Sequence, residues 1–182
     1  TLKDERFSYR KEVIPTSIKA VNAALTVKLA QPYMKEGAQV LDPFCGVGTM
    51  LIERHKAVKA GTMYGLDILE EAIEKARENT AAAGQIIHYI NRDFFDFKHE
   101  YLFDEIITNM PFKIGRKTEE EIENLYEAFF SSAKKVLKDD GIMILYSHNA
   151  GHVKKMAPAN GFTVSEIFEI SLKEGTYVFV LN

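Results

Sequence analysis

Apolar positions along the chain change period several times, and each change marks an element. From Lys19 to Leu29 ("KAVNAALTVKL") they recur at helical spacing through Val21, Ala24, Leu25 and Leu29, after a start signal at Pro15-Thr16-Ser17. Gln39-Val40-Leu41 is a short apolar run that predicts a strand, Met50 to Ala60 predicts a helix, and Thr62 to Ile68 a second strand. Glu70 to Ala83 predicts a helix with Leu69, Ala72, Ile73 and Ala76 on one face, Glu71 paired with Lys75, and Gly84 as its stop. Ile86–Ile90, Phe103–Thr108 and Gly141–Ser147 read as the third, fourth and fifth strands. The clearest stripe runs through Ile122, Leu125, Tyr126, Phe129, Phe130, Ala133, Val136 and Leu137. Thr118 and Glu121 form a capping box ahead of it, with Glu119 and Glu120 at its positive end and Lys134, Lys135 and Lys138 at its negative end. Phe162 to Leu181 differs in kind: two strand-like runs joined by "KEGT" predict an antiparallel hairpin.

Strand and helix alternate five times, which predicts an α/β fold, a doubly wound, mostly parallel, Rossmann-like sheet with a C-terminal antiparallel hairpin. Residues 37–182 form that domain, and residues 1–36 are expected to be an N-terminal helical extension packed on it.

Composition narrows the function classes. The 182 residues carry 23 Lys plus Arg against 26 Asp plus Glu, a net charge of −3, which argues against gripping nucleic acid by overall charge. Cys45 is the only cysteine, so no intrachain disulfide forms and a cytoplasmic home is expected. No apolar run reaches membrane-spanning length, so no membrane partner is expected. His148 and His152 flank Gly151 in a segment that reads as a strand end, and no histidine sits at zinc spacing, so no metal is expected. The chain opens on Thr1; removal of an initiator and a longer parent protein both account for that.

The chemistry concentrates where strands end. "LDPFCGVGTM" (41–50) follows the first strand and looks like a nucleotide loop. A dinucleotide loop needs three glycines, but only Gly46 and Gly48 are present and Leu51 stands where the third would be. A phosphate-cradling loop would need a lysine that is absent. Asp42 would repel a pyrophosphate yet suits a cation, which fits S-adenosylmethionine (SAM): an ammonium, a sulfonium, and a carboxylate for helix N–H groups. Asp67 ends the second strand, where a carboxylate accepts ribose hydroxyls, and Asp93 with Phe94 follows the third, suited to an adenine amine and ring. Taken singly, Asp42 and Asp67 read equally well as loop caps, and Asp93 reads better as one. Cys45, with no basic neighbour in sequence, reads as a packed loop residue rather than a nucleophile.

Asn109-Met110-Pro111-Phe112 follows the fourth strand. A base amine has its lone pair delocalised into the ring. Hydrogen bonds accepted by the Asn109 oxygen and the Met110 carbonyl, stiffened by Pro111, would draw that nitrogen towards tetrahedral geometry. Phe112 offers a face for a flipped-out base. Alone, the same four residues read as a proline turn with a core phenylalanine.

"DPFCGVGT", "NMPF" and "KIGRK" together resemble the THUMP-associated RNA methyltransferases, above all the tRNA guanine-N2 methyltransferases, from about residue 13 onward and including "IPTSIKAVNAAL". The resemblance implies a class I SAM-dependent methyltransferase fold. It implies cofactor contacts at Asp42, Phe44, Gly46, Gly48, Asp67, Ile68, Asp93 and Phe94, with Ser17 a weaker candidate for the methionine carboxylate. It implies substrate-amine contacts at Asn109, Pro111 and Phe112. Met110 replaces a usual Leu or Pro, and Val47 a usual Ser. The implied substrate is RNA, tRNA first and rRNA second. Members of that family carry an N-terminal RNA-binding THUMP module, expected here to be missing from this chain or supplied by a partner. Lys113, Arg116 and Lys117 are the only concentrated basic stretch near the tetrapeptide. The competing readings are amine methylation of DNA adenine or cytosine or of a protein glutamine, a nicotinamide oxidoreductase, and a non-catalytic SAM- or RNA-binding module.

Overall fold

In the computed structural model, which describes residues 4–112 and 118–182, seven strands join in one sheet. They are β1 (Gln39–Asp42), β2 (Thr62–Asp67), β3 (His88–Asn91), β4 (Phe103–Asn109), β5 (Leu137–Ser147), β6 (Val164–Ser171) and β7 (Thr176–Leu181), in the order β3-β2-β1-β4-β5-β7-β6. The first five pair in parallel; β7 lies antiparallel to β5, and β6 antiparallel to β7. The predicted sheet and hairpin are both present, and the direction of winding reverses between β1 and β4. A crevice opens at the carboxyl ends of strands at such a reversal, and ligands of open α/β sheets bind there.

Two helix layers cover the sheet: α1 (Ala20–Ala30), α2 (Thr49–Ala57) and α3 (Glu70–Ala82) on one face, α4 (Glu119–Val136) and α5 (Ala150–Ala159) on the other. Strand side chains alternate between them with period two. Leu41, Ile106, Met143, Leu145 and Phe179 pack with α4 and α5, while Val40, Ile107, Ile144, Val178 and Val180 pack with α1 to α3. The capping box of α4 forms as predicted: Glu121 N–H donates to the Thr118 hydroxyl, and Thr118 N–H to the Glu121 carboxylate.

Four sequence expectations are corrected. The buried face of α1 is Ala20, Ala23, Val27 and Ala30, while Val21 and Leu25 are exposed. Apolar residues occur all round this helix, so periodicity cannot choose its face, and small alanines allow the closest approach. Leu69 is the N-cap of α3 and exposed rather than part of its core face. The fifth strand starts at Leu137, not Gly141: its charged residues sit at an irregular stretch of the β4–β5 ladder, where Lys138 bonds Asp104 at 2.9 Å. Residues 150–159 form helix α5 where a strand end was expected; Gly151 and Pro158 mask its period.

One buried ion pair pins the layers. The Arg54 guanidinium on α2 donates from Nε to Glu105 on β4 at 2.8 Å, and also to the carbonyls of Lys35 and Val58. Both side chains are shut away from water.

Candidate active site

The carboxyl ends of β1, β2 and β4 face a cavity of about 490 Å³, within the range of small-molecule sites. Of the residues singled out in the sequence, Ser17, Asp42, Phe44, Gly46, Asp67, Ile68, Asp93, Phe94, Asn109, Pro111 and Phe112 all line it. Gly48 does not, although its neighbours Val47 and Thr49 do.

The loop after β1 is held by its own backbone. Gly46 and Gly48 both take positive φ, +52° and +88°, and Gly48 N–H donates to the Cys45 carbonyl at 2.9 Å. Gly48 has a second reason to be glycine: a Cβ there would fall 2.3 Å from the Tyr89 hydroxyl. Gly65 on β2 is similarly tight, with a Cβ 2.8 Å from the Tyr89 ring and 3.0 Å from the Cys45 Cβ. The Tyr89 ring thus lies flush beneath the loop, its hydroxyl 2.8 Å from that of Thr80. Burial pushes the Cys45 thiol up, so it is a packing group and no nucleophile.

Asp42 is fully buried. Its Oδ1 accepts from the Thr108 hydroxyl at 2.5 Å and from Phe44 N–H at 3.0 Å. Burial pushes its carboxyl up to about 7 against the pull of those two donors, and the neighbouring Asp67 carboxylate adds to the rise. Asp67 takes Gly46 N–H at 3.0 Å on one oxygen and Leu69 N–H at 2.9 Å on the other, so it clasps the glycine loop to the end of β2. Asp93 caps the short turn Phe94–Asp96 by accepting from Phe95 N–H at 2.9 Å. Behind it Phe94 and Phe44 meet edge to face at 6.0 Å and both pack on Phe129, joining the cavity wall to the core.

Across the cavity, Met110 is buried and its N–H donates to the Tyr146 carbonyl at 2.9 Å, which carries the β4–β5 ladder one residue beyond Asn109. The Asn109 side-chain oxygen is buried and has no hydrogen-bond partner among the described residues. A buried amide acceptor left unpaired costs about 1–3 kcal/mol, and such exceptions in a folded protein call for an explanation.

A fourth wall comes from the N-terminal segment. Ile14, Thr16, Ser17 and Ile18 line the cavity opposite the sheet. The Ser17 hydroxyl accepts from Ile14 N–H at 2.9 Å, so it also shapes its own turn. Buried Asn79 on α3 holds this segment in place: it bonds both the N–H and the carbonyl of Glu12, and donates to the Val47 carbonyl of the glycine loop. Tyr9 adds a 2.5 Å bond to Glu53 on α2. Asn79, Thr108 and Tyr89 were not singled out from the sequence, because each acts through partners far away in the chain. Lys113, Arg116 and Lys117 lie outside the described residues. Among the described residues no three His, Cys, Asp or Glu side chains gather as for a metal ion.

The family model described as UPF0020, RMKL-like, methyltransferase domain, matches residues 8–175. The chain is 33% identical over 114 residues, 62% of its length, to a tRNA (guanine(10)-N2)-dimethyltransferase of Methanothermobacter thermautotrophicus, covering 33% of that protein. It is 28% identical over 86% of its length to a ribosomal protein L11 methyltransferase of Dictyoglomus thermophilum, covering 48% of that protein. The crystal structure of TrmN from Thermus thermophilus is similar at a TM-score of 0.77 and 26% identity, over 98% of this chain and 52% of that one. The chain therefore spans between a third and about half of these relatives' lengths.

Proposed function

The chain belongs to the RMKL-like methyltransferase domain family, and from that premise we propose that it is a SAM-dependent N-methyltransferase acting on an exocyclic base amine of RNA, with guanine N2 of tRNA as acceptor. The observation that carries this reading is the Asn109 oxygen, unpaired among the described residues: a buried acceptor, in the wall of the cavity that Asp42 and Asp67 also line, suits an incoming N–H donor.

The cavity residues fit SAM. Asp42 supplies a buried carboxylate for the cationic end, Asp67 an acceptor for ribose hydroxyls, Asp93 a partner for an adenine amine, and Phe44, Ile68 and Phe94 an apolar surround. Ser17 and the loop from Gly46 to Gly48 close the methionine end. When bound, the cofactor supplies an electrophilic methyl on a sulfonium. Asn109 and the Met110 carbonyl accept from the substrate amine and turn its lone pair towards that methyl, and Pro111 holds the turn. An amide oxygen is too weak a base to keep a proton, so Asn109 orients the amine rather than deprotonating it: the nitrogen–methyl bond would form as the sulfonium–methyl bond breaks to leave a neutral thioether, and the amine's surplus proton would pass to water. Phe112 stacks the base.

Residues 37–182 act as the catalytic domain and residues 1–36 as an extension that completes the cavity, a reading supported by the lining from Ile14 to Ile18. With a net charge of −3, RNA affinity is assigned chiefly to a THUMP-like module outside this chain or on a partner. Among the described residues no helix is long and apolar enough to cross a membrane. A reducing cytoplasm is the compartment we assign.

The test is methyl transfer from labelled SAM to unfractionated tRNA, with mass spectrometry of the nucleosides. N2-methylguanosine supports the reading. The relative that methylates a ribosomal protein favours a second reading, a protein amine acceptor; label in a ribosomal protein fraction and none in RNA would select it.

A further inference from the structure

The Phe112 ring does not stand alone. His148, the first residue past β5, places its imidazole 4.4 Å from the Phe112 ring centre with the two planes 34° apart, a tilted stack. The imidazole is itself held from two directions. Its Nδ1 shares a 3.1 Å hydrogen bond with the hydroxyl of Thr176, the fully buried first residue of β7. The Tyr146 ring meets it edge-on at 5.7 Å and 82°. A chain of contacts thus runs from the C-terminal hairpin through Thr176 and His148 to Phe112, although none of the described hairpin residues lines the cavity.

We propose that His148 is a positioning residue: it braces Phe112 as the platform on which the acceptor base stacks. This rests on the reading of Phe112 as that platform. Phe112 lies three residues past the end of β4 and, being half-buried, is free to swing unless something backs it. Stacking on a ring whose plane is already fixed spares the ordering cost that binding would otherwise incur. The two rings are too close to admit a third between them. The base is therefore confined to the opposite face of Phe112, so one geometry is selected. The residue types suit the task, because the hydrogen bond to Thr176 fixes the plane of an imidazole, which a phenyl ring in the same place would have to achieve by packing alone.

The experiment measures methyl transfer to unfractionated tRNA, with SAM affinity by calorimetry, for the wild type, Phe112→Ala, His148→Ala, His148→Phe, Thr176→Val and the double variant Phe112→Ala/His148→Ala. His148→Ala is expected to lower kcat/KM for tRNA about three- to tenfold, the value of one aromatic pair, with the SAM Kd unchanged. His148→Phe should recover most of that loss, Thr176→Val should show part of it, and the double variant should be no worse than Phe112→Ala. Full activity of His148→Ala beside an impaired Phe112→Ala, or losses that simply add, would overturn the brace. An unaffected Phe112→Ala would instead remove the platform, and absence of transfer by the wild type would remove the proposed function. If His148→Ala fails to fold, the contrast between His148→Phe and Thr176→Val decides: equal activity of the two at wild-type level overturns the proposal.

Discussion

Cofactor binding should be coupled to ionisation of Asp42, and the structure sets the size of the effect. Burial raises this carboxyl from an ordinary 3.8 to about 7. The sign for stability follows: the group favours the folded state fully below pH 3.8, and that contribution is lost as pH rises through 7. A cationic ligand reverses the preference, since it needs the carboxylate ionised. With a midpoint near 7, roughly one free molecule in eleven is ionised at pH 6 and about ten in eleven at pH 8. Apparent affinity scales with the competent fraction, so the SAM Kd should fall about tenfold between pH 6 and pH 8, on the order of 1.4 kcal/mol. Calorimetric titration at several pH values measures it. SAM carries its own amino group, which titrates near 8. The quantity to compare is thus the difference in slope between wild type and Asp42→Asn, which keeps an oxygen for Thr108 and Phe44 but cannot ionise. Identical slopes in the two proteins would refute the coupling.

Asn109→Ala should leave the SAM Kd intact and cut kcat by about 10²–10³-fold in single-turnover methyl transfer, because the amine contacts proposed for it would strengthen only as the transition state forms. Asp67→Ala should weaken SAM binding at least about tenfold by calorimetry, through loss of the proposed ribose contacts and a loosened glycine loop. Arg54→Met leaves Glu105 buried and unpaired and should cost about 3–5 kcal/mol in urea unfolding at pH 7. The combined change Arg54→Met/Glu105→Leu should recover much of that loss.

What the sequence made legible was local. Asp42, Asp67 and Asn109 are polar residues at the ends of apolar runs, so a strand assignment alone brings them to one edge of a sheet, and the cavity gathers them. The α4 stripe and its capping box are likewise complete within one stretch of chain. The face of α1 was not legible, because a helix apolar all round has no preferred side until α2 is packed against it. Helix α5 was hidden by Gly151 and Pro158, which the packing of Val153, Met156 and Ala157 into the core outweighs. Pairings such as Arg54 with Glu105, Asn79 with Glu12, and His148 with Phe112 join residues 51, 67 and 36 positions apart, and no period in the chain announces them.

The fit of Tyr89 beneath Gly48 and Gly65 bears on how this chain can change over generations. Gly65 has an ordinary backbone, so only the aromatic ring and Cys45 keep alanine out. Gly48, with its positive φ, is barred twice. A lineage that enlarges position 65 must first shrink position 89, and the intermediate then carries a hole beneath its cofactor loop. Positions 65 and 89 should accordingly drift together while position 48 stays glycine for its backbone, and a descendant that keeps the tyrosine keeps both glycines.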